Sequence, residues 1–229
     1  MNTSTFLKRF GRAATATAFV ALAGCGLADA ADITANVPAA VVDTPLAATK
    51  GSQTLVVAGG CFWGVDAVFK HVKGVTSVTS GYSGGEKSTA DYDTVSTGRT
   101  GHAESVDIVY DPSQVTVGQL LRVFFSVAHN PTELNRQGPD HGTQYRSAIF
   151  YKDADQKRVV DAYIAQLQGA KIYPGPIVTQ VTPLVAFYPA EGYHQNYLQL
   201  HPMQPYIVIN DKPKVEALKT IFPTMYRDS

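Results

Sequence analysis

The chain has 229 residues, a length that suits one domain of ordinary size with a well-buried core. Its formal charge balances, with 19 Lys and Arg against 19 Asp and Glu. Removing residues 1–30 takes away three cations and one anion, which leaves a net charge of −2 with histidine neutral. This balance excludes the strongly basic surface that attracts nucleic acids or anionic membranes.

The first 30 residues have the pattern of a secretory signal. A positive start and an alanine-rich apolar segment precede the first acidic residue: Lys8, Arg9, Arg12, residues 13–23 and Asp29. The apolar segment is short for a membrane span. We therefore predict an exported protein, located in the bacterial periplasm or anchored to the membrane as a lipoprotein.

Two cleavage sites fit this signal. A cut after the A-x-A pattern at residues 28–30 starts the mature chain at Ala31. A lipoprotein-type cut before Cys25, behind a Leu-Ala-Gly tripeptide, makes Cys25 a lipidated N-terminus. We favour the second alternative because cysteine is rare in this chain. A structural disulfide between Cys25 and Cys61 would need an uncut signal.

Residues 31–52 contain two prolines and many alanines without a sustained period of 2 or 3.6 residues. This composition predicts a flexible tether. An apolar run suited to a buried strand begins directly after it, so we expect the folded domain to cover residues 53–229.

Strands and helices alternate along this domain. Periodicity and breaker residues predict strands at 54–58, 75–82, 104–110 and 147–151, and an extended segment at 179–188. They predict helices at 61–72, 117–128, 153–167 and 212–222, with Asp153 as the N-cap of the third. A long polar loop at 129–146 precedes the fourth strand. The alternation predicts an α/β (α+β) two-layer sandwich, in which helices pack on a mixed central sheet around a ferredoxin-like βαβ core.

Cys61 lies where the first predicted strand hands over to the first predicted helix. It is the only cysteine after Cys25, and the only tryptophan of the chain, Trp63, is almost adjacent. A thiol in the first turn of a helix is near the positive end of the helix dipole, which favours the thiolate. The position suits a nucleophile, and on position alone it equally suits a small buried core residue.

Glu104 opens a strand whose alternation places Val106 and Ile108 on the inward face. By the two-residue period Glu104 falls on the same face. A carboxyl group in an apolar interior has a raised pKa, so we expect Glu104 to be protonated near neutral pH and able to act as an acid.

Further hydrogen-bonding groups come from the long polar loop, because such a loop in a compact domain is more often functional than not. It supplies Asp140 and Tyr145, and Tyr82 in the preceding Gly-rich region could supply another hydroxyl.

Five segments, in this order, resemble the A-class peptide methionine sulfoxide reductases. They are Gly60-Cys61-Phe62-Trp63-Gly64, Gly81-Tyr82-Ser83-Gly84-Gly85, Gly101-His102-Ala103-Glu104, Asp111-Pro112 and the run 136–147. The resemblance covers most of residues 53–200, and the segment around Cys61 is fairly specific by itself.

The resemblance implies a role for each candidate residue. Cys61 attacks the sulfoxide sulfur and becomes a sulfenic acid, while Glu104 donates a proton to the sulfoxide oxygen. The side chains that hold the oxygen and support Glu104 are Tyr82, Asp140 and Tyr145, and those that cage the S-methyl group are Phe62 and Trp63. The implied substrate is methionine-S-sulfoxide in oxidised proteins and peptides, and free methionine-S-sulfoxide as well, which would make the protein a repair enzyme of the cell envelope.

The main departure from the commoner family pattern concerns the cysteines. Many members carry one or two further cysteines near the C-terminus that resolve the sulfenic acid as a disulfide, and this chain has none after Cys61. The resemblance then implies no cofactor but an external thiol reductant, such as a thioredoxin-like protein, a glutaredoxin system or dithiothreitol. We expect a monomer, with no nucleic-acid partner and with membrane contact only through the N-terminal lipid.

The histidines do not form a metal-binding pattern. His102, His141, His194 and His201 are scattered without a cysteine pair, so we predict no zinc or other metal site. His194 lies in a segment that also resembles family sequence and is a candidate for lining the site without a catalytic role.

Two other classes of function remain open at this stage. One is a cysteine hydrolase or acyltransferase with Cys61 as nucleophile and a histidine as base, although the best-placed partner is an acid. The other is a non-catalytic lipoprotein that binds Met-containing partners through Phe62 and Trp63.

Overall fold

The computed structural model describes Met1 and residues 37–228. The predicted signal segment, with both cleavage alternatives and Cys25, lies outside the described residues. Within residues 37–228 no helix combines the length and the apolar character that crossing a membrane requires.

The described part of the chain contains eight strands. They are β1 (Gln53–Gly59), β2 (Val75–Ser83), β3 (Ala103–Tyr110), β4 (Arg136–Gln137), β5 (Asp140–His141), β6 (Ser147–Tyr151), β7 (Gln180–Pro183) and β8 (Phe187–Pro189). Six of them form one sheet in the order β7-β6-β1-β3-β2-β8, while β4 and β5 form a separate hairpin inside the predicted long loop.

The sheet is mixed. β3 is antiparallel to both β1 and β2, so β1 and β2 run parallel and the helix between them forms a βαβ unit. β6 is antiparallel to β1, whereas β7 is parallel to β6. The four central strands therefore lie side by side in the order β6-β1-β3-β2. In chain order these are the fourth, first, third and second of the four, which is the strand order of a ferredoxin-like sheet. This arrangement confirms the predicted mixed sheet with packed helices and a ferredoxin-like core.

The helices of residues 37–228 cover the sheet and its ends. They are α1 (Phe62–Lys70), α2 (Tyr92–Val95), α3 (Val117–Val123), α4 (Ala154–Gly169), α5 (Tyr197–Leu200) and α6 (Lys212–Ile221), with π-helical turns at Phe124–Ala128 and Ile207–Asp211. As predicted, Asp153 caps α4 by accepting a hydrogen bond from the Gln156 N–H at 2.8 Å. The short helices α2 and α5 carry too few residues to show a period, and the sequence did not predict them.

The segment before β1 differs from the predicted tether over residues 31–52. From Val37 onward it packs on the domain, with Val37 only 1% exposed and the Asp43 carboxylate accepting a hydrogen bond from the Gly118 N–H of α3 at 2.8 Å. Irregular backbone has no period to read, yet it can still satisfy its polar groups against helices. The tether prediction is therefore wrong for residues 37–52.

The main core lies between the sheet and the helices. Its largest fully buried side chains come from strands β1, β2, β3 and β6, from helices α1, α3 and α4, and from the turn after α3: Leu55, Tyr82, Ile108, Ile149, Phe62, Phe69, Leu120, Leu121, Tyr163, Leu167, Phe124 and Phe125. Burying each apolar side chain of this size stabilises the fold by about 1.5–3 kcal/mol. This packing fixes the junction between β1 and α1 relative to the start of β3, which is where the candidate site lies.

Candidate active site

Cys61 occupies the N-cap position of α1, directly after β1. The preceding Gly60 has a φ of +86°, a conformation that favours glycine, and a Cβ there would lie 2.6 Å from Gln137 Cβ. The β4–β5 hairpin thus packs against the turn that carries the thiol. Cys61 is a free cysteine and is 8% exposed.

A cavity of about 160 Å³ lies over the Cys61 side chain. We call it the aromatic cavity, and its wall consists of Cys61, Phe62, Trp63, Tyr92, Glu104, Asp140, Tyr145 and Tyr206. The structure therefore brings together six of the seven candidate residues that the sequence indicated. The seventh, Tyr82, is not part of this wall.

Tyr82 lies beneath the site instead of in it. Its side chain is fully buried, and its hydroxyl donates a hydrogen bond to Glu191 Oε2 at 2.9 Å. Tyr92 does line the cavity, and its backbone N–H donates a hydrogen bond to the other oxygen of Glu191 at 2.9 Å. The predicted position of Tyr82 in the substrate site is thus wrong, and Tyr92, which was not predicted, lies in the cavity wall.

Tyr92 escaped the sequence analysis because it lies on a four-residue helix inside a polar loop. The available signal was Asp91, which is an N-cap whose carboxylate accepts a hydrogen bond from the Thr94 N–H at 3.0 Å. A cap without a following apolar stripe is easily passed over as an ordinary turn.

Glu104 is the acid of the aromatic cavity. Its side chain is 3% exposed, and its Oε2 accepts a hydrogen bond from the Phe62 N–H at 3.1 Å. Burial raises the pKa of Glu104 to about 8, against the lowering effect of the Phe62 N–H, and the nearby carboxylates of Asp140 and Asp211 raise it further. Glu104 therefore carries a proton at neutral pH, in line with its inward position on β3.

Cys61 departs from the expected thiolate. Burial raises the pKa of its thiol well above the usual value, and the charges of Glu104 and Asp211 act in the same direction. The Trp63 N–H in the first turn of α1 and the ammonium group of Lys214 lower the pKa, but these effects are smaller. The helix N-terminus is thus outweighed by desolvation, and the free site holds a protonated thiol beside a protonated carboxyl.

The apolar side of the cavity is rigidly supported. The ring of Trp63 stacks on Tyr197 of α5, with centroids 3.7 Å apart and planes 5° apart. Its Nε1–H donates a hydrogen bond to His194 Nδ1 at 3.2 Å, and the Phe62 ring centroid lies 5.0 Å from that of His194. Because His194 is buried behind both rings, it orients the aromatic wall and does not reach the cavity.

The polar side of the cavity includes a second tyrosine that sequence reasoning missed. The Tyr206 hydroxyl donates a hydrogen bond to Asp140 Oδ2, and its ring meets Trp63 edge-on at 6.0 Å. Desolvation raises the pKa of Tyr206, Tyr92 and Tyr145 above the ordinary phenol value. All three hydroxyls therefore remain protonated donors at neutral pH.

Two other chemistries find little support in this arrangement. No histidine forms part of the cavity wall, so a hydrolase would lack its base among the described residues. Within residues 37–228 no group of three or more His, Cys, Asp or Glu side chains is placed to hold a metal ion. The cavity instead joins a thiol and a carboxylic acid to an aromatic wall, which suits a small group with a polar oxygen and an apolar methyl.

Comparison with known sequences finds one family of proteins. The family model described as peptide methionine sulfoxide reductase matches residues 53–225. Peptide methionine sulfoxide reductase MsrA 2 of Mesorhizobium japonicum is 62% identical over 181 residues, which are 79% of this chain and 93% of that protein. The MsrA 2 protein of Synechocystis is 51% identical over 185 residues, 80% of this chain and 86% of that protein.

Solved structures agree with the sequence comparison. Methionine sulfoxide reductase A of Corynebacterium diphtheriae is 36% identical, with a TM-score of 0.58 over 69% of this chain and 78% of that one. The reduced form of Mxr1 from Saccharomyces cerevisiae is 32% identical, with a TM-score of 0.61 over 72% of this chain and 92% of that one.

Proposed function

Because the chain belongs to the peptide methionine sulfoxide reductase family, we propose that it reduces methionine-S-sulfoxide through a Cys61 sulfenic acid. The enzyme is an oxidoreductase of the MsrA type that acts on methionine sulfoxide. The observation that carries the finer proposal is the joint position of Cys61 and a protonated Glu104 in the wall of one small cavity.

The proposed step transfers one oxygen atom. The Cys61 sulfur attacks the sulfoxide sulfur while Glu104 gives its proton to the sulfoxide oxygen. Overall the thiol and the sulfoxide become a sulfenic acid and a thioether, so Cys61 is oxidised by two electrons and the substrate sulfur is reduced by two. The Cys61 proton replaces the one that Glu104 gave, so no net proton is gained or lost.

The remaining wall residues would position the substrate. Tyr92 and Tyr145 present hydroxyl donors to the oxygen, and these donors stay protonated because their pKa values are raised. Phe62 and Trp63 form the apolar surface against which the S-methyl group packs. Chirality at sulfur then decides which sulfoxide epimer can point its oxygen at Glu104, and each epimer is served by its own enzyme.

Regeneration would use an external thiol. No cysteine occurs in residues 62–229, so none of these residues can form a disulfide with Cys61. A thioredoxin-like protein, a glutaredoxin system or dithiothreitol has the required chemistry. With the N-terminal signal pattern, this supports a proposed role in repairing oxidised proteins of the cell envelope, from the periplasm or as a membrane-anchored lipoprotein.

The proposed nucleophile is tested by Cys61→Ser. We expect the substitution to abolish reduction of a methionine-S-sulfoxide peptide in dithiothreitol, measured as the loss of one oxygen by mass. The R epimer should remain unreduced by both proteins. Full activity in the serine variant would overturn the proposal.

The proposed intermediate is tested by one turnover without reductant. A reagent that traps sulfenic acids should label Cys61 after a stoichiometric amount of sulfoxide has been added. A stable acyl adduct on Cys61 after incubation with ester substrates would instead favour a hydrolase.

A further inference from the structure

Cys61 contributes to a second cavity in addition to the aromatic cavity. This cavity holds about 200 Å³, and we call it the Lys214 cavity. Its own wall residues are Gln137, Gly138, Pro139, Ile209, Asn210 and Lys214. Cys61, Asp140 and Tyr206 line both cavities, and the Tyr206 hydroxyl donates a hydrogen bond to Asp140.

The two cavities differ in chemistry. Glu104, Tyr92 and Tyr145 lie only on the aromatic side, whereas the one cationic side chain in either wall, Lys214, lies only on the other side. Both walls belong entirely to described residues. An oxygen acceptor and a sulfur nucleophile would therefore find different surroundings on the two sides of Cys61.

The ammonium group of Lys214 is held next to the first turn of α1. Lys214 Nζ lies 3.3 Å from Asp211 Oδ1, and Asp211 is fully buried. A Cβ at Gly64 would overlap Asp211 Oδ1 and lie 2.9 Å from Lys214 Nζ, so only glycine leaves room for this ion pair. Lys214 also lowers the pKa of the Cys61 thiol, which places its charge within electrostatic reach of the sulfur.

We propose that the Lys214 cavity is the binding site for the reducing thiol, with Lys214 holding that thiol as its thiolate beside Cys61. The proposal rests on the sulfenic acid of the proposed function. Attack on a sulfenic acid proceeds most directly from the side away from the departing oxygen. If the oxygen is held by Glu104 and the tyrosines of the aromatic cavity, the Lys214 cavity offers the attacking sulfur a separate approach to Cys61.

The chemistry balances in two steps. The thiolate sulfur bonds to the Cys61 sulfur, the S–O bond breaks, and the departing hydroxide takes a proton from Glu104 and becomes water. The result is a mixed disulfide between Cys61 and the reductant. A second molecule of thiol then attacks this disulfide, which releases the oxidised reductant and restores the Cys61 thiol.

The first test fills the mouth of the Lys214 cavity. Ile209 lines it and is 71% exposed, so Ile209→Trp can add bulk without disturbing the core. The matched control is Val208→Trp, because Val208 is 42% exposed, adjacent in sequence and absent from both walls. In each protein the sulfenic acid is formed with stoichiometric sulfoxide, 2-mercaptoethanol is added, and the remaining sulfenic acid is trapped and quantified over time.

We expect Ile209→Trp to slow the loss of sulfenic acid at least about tenfold while its formation stays within about twofold of the parent, since exchange depends on access to sulfur. Val208→Trp should match the parent in both steps. Unchanged loss in Ile209→Trp, or equal slowing of formation and loss, would overturn the proposal. A parent enzyme that forms no sulfenic acid at all would overturn the proposed function first, and this proposal with it.

The second test addresses the charge. Lys214→Met should lower the second-order rate constant for reduction of preformed sulfenic acid by 2-mercaptoethanol about tenfold at neutral pH, because the thiolate loses its counter-charge. Lys214→Arg keeps the charge and should restore most of the rate. Reduction that proceeds at the parental rate in Lys214→Met would contradict the role of the ammonium group.

Discussion

At the scale of single residues, the site contains two acidic groups whose pKa values are both raised above those of exposed side chains. Burial raises the pKa of the Glu104 carboxyl to about 8 and also raises the pKa of the Cys61 thiol. The two groups disfavour each other's ionisation, so a single negative charge is the most that the pair carries near neutral pH. When Glu104 gives its proton to the sulfoxide oxygen, the proton of the Cys61 thiol is available to reprotonate Glu104.

The raised pKa of Glu104 predicts the pH dependence of the chemical step. The acid form is the active one, so single-turnover reduction of sulfoxide should be constant below about pH 7 and fall as the pH rises through about 8. Rapid quench with mass detection of the thioether measures this step without the reductant's own titration. A rate that keeps rising to pH 9.5 would mean that Glu104 is not the acid.

The exchange of Tyr82 for Tyr92 gives a matched pair of variants. Tyr92→Phe removes a hydroxyl from the cavity wall and should lower kcat/KM about tenfold or more, the usual scale for losing a preorganised donor. Tyr82→Phe removes only the hydrogen bond to Glu191, so kcat/KM should stay near the parent while stability falls by about 1 kcal/mol. The reverse ranking of the two kcat/KM values would favour the original assignment.

At the scale of secondary-structure elements, the start of α1 is the crowded point of the fold. The β4–β5 hairpin packs on Gly60 from one side, and the turn that leads into α6 brings Asp211 against Gly64 from the other. Glycine is needed at both positions, at the first for its φ of +86° as well as for space. The position of the Cys61 thiol is therefore fixed by three segments: the β1–α1 junction that contains it, the β4–β5 hairpin and the turn before α6.

This crowding predicts a large cost for one added methyl group. Gly64→Ala should lower the free energy of unfolding by about 2 kcal/mol or more, because the Cβ meets the buried Asp211 carboxylate. Gly169→Ala, at the end of α4 with nothing within 4 Å of its Cβ, should be neutral or slightly stabilising. Denaturant unfolding of both variants gives the comparison, and equal stabilities would contradict the packing described here.

How far sequence predicts this protein depends on element length. The long helices and the strands β1, β2, β3 and β6 carry enough periodic residues to be located, and the ordered motifs indicate six of the cavity residues. Tyr92 lies on an element too short to show a period, and Tyr206 directly precedes the π-helical turn Ile207–Asp211, before the predicted start of the last helix. Both residues enter the site only through tertiary packing. The raised pKa of Cys61 could not be predicted either. The local sequence shows that Cys61 starts a helix, which lowers the thiol pKa, but it does not show the burial, which raises the pKa by more.

At the scale of the whole molecule, the proposed chemistry depends on a single thiol. The segment from Val37 to β1, which packs on α3 and α4, belongs to the domain and brings no cysteine with it. Cys25 is the only other cysteine of the sequence. The folded domain therefore supplies one thiol per chain, Cys61, that can reduce one substrate molecule before it has to be regenerated.

This predicts a fixed stoichiometry. Without any reductant, each chain should produce one methionine from excess methionine-S-sulfoxide and then stop, as counted by chromatography of the product. A Cys25→Ser variant serves as the control and should give the same count. If Cys25 acted as a resolving thiol the count would still be one, but a Cys25–Cys61 disulfide would replace the trappable sulfenic acid in the parent, and the sulfenic acid would return in the variant.

The stacking of Trp63 on Tyr197 has a practical consequence of another kind. Because Trp63 is the only tryptophan, all of the tryptophan fluorescence of the protein comes from one ring in the wall of the cavity. That ring is stacked at 3.7 Å and hydrogen-bonded to His194, so its emission responds to whatever enters or reacts beside it. We therefore expect the binding of substrate and the oxidation of Cys61 to change the Trp63 emission, which can be measured without attaching a dye.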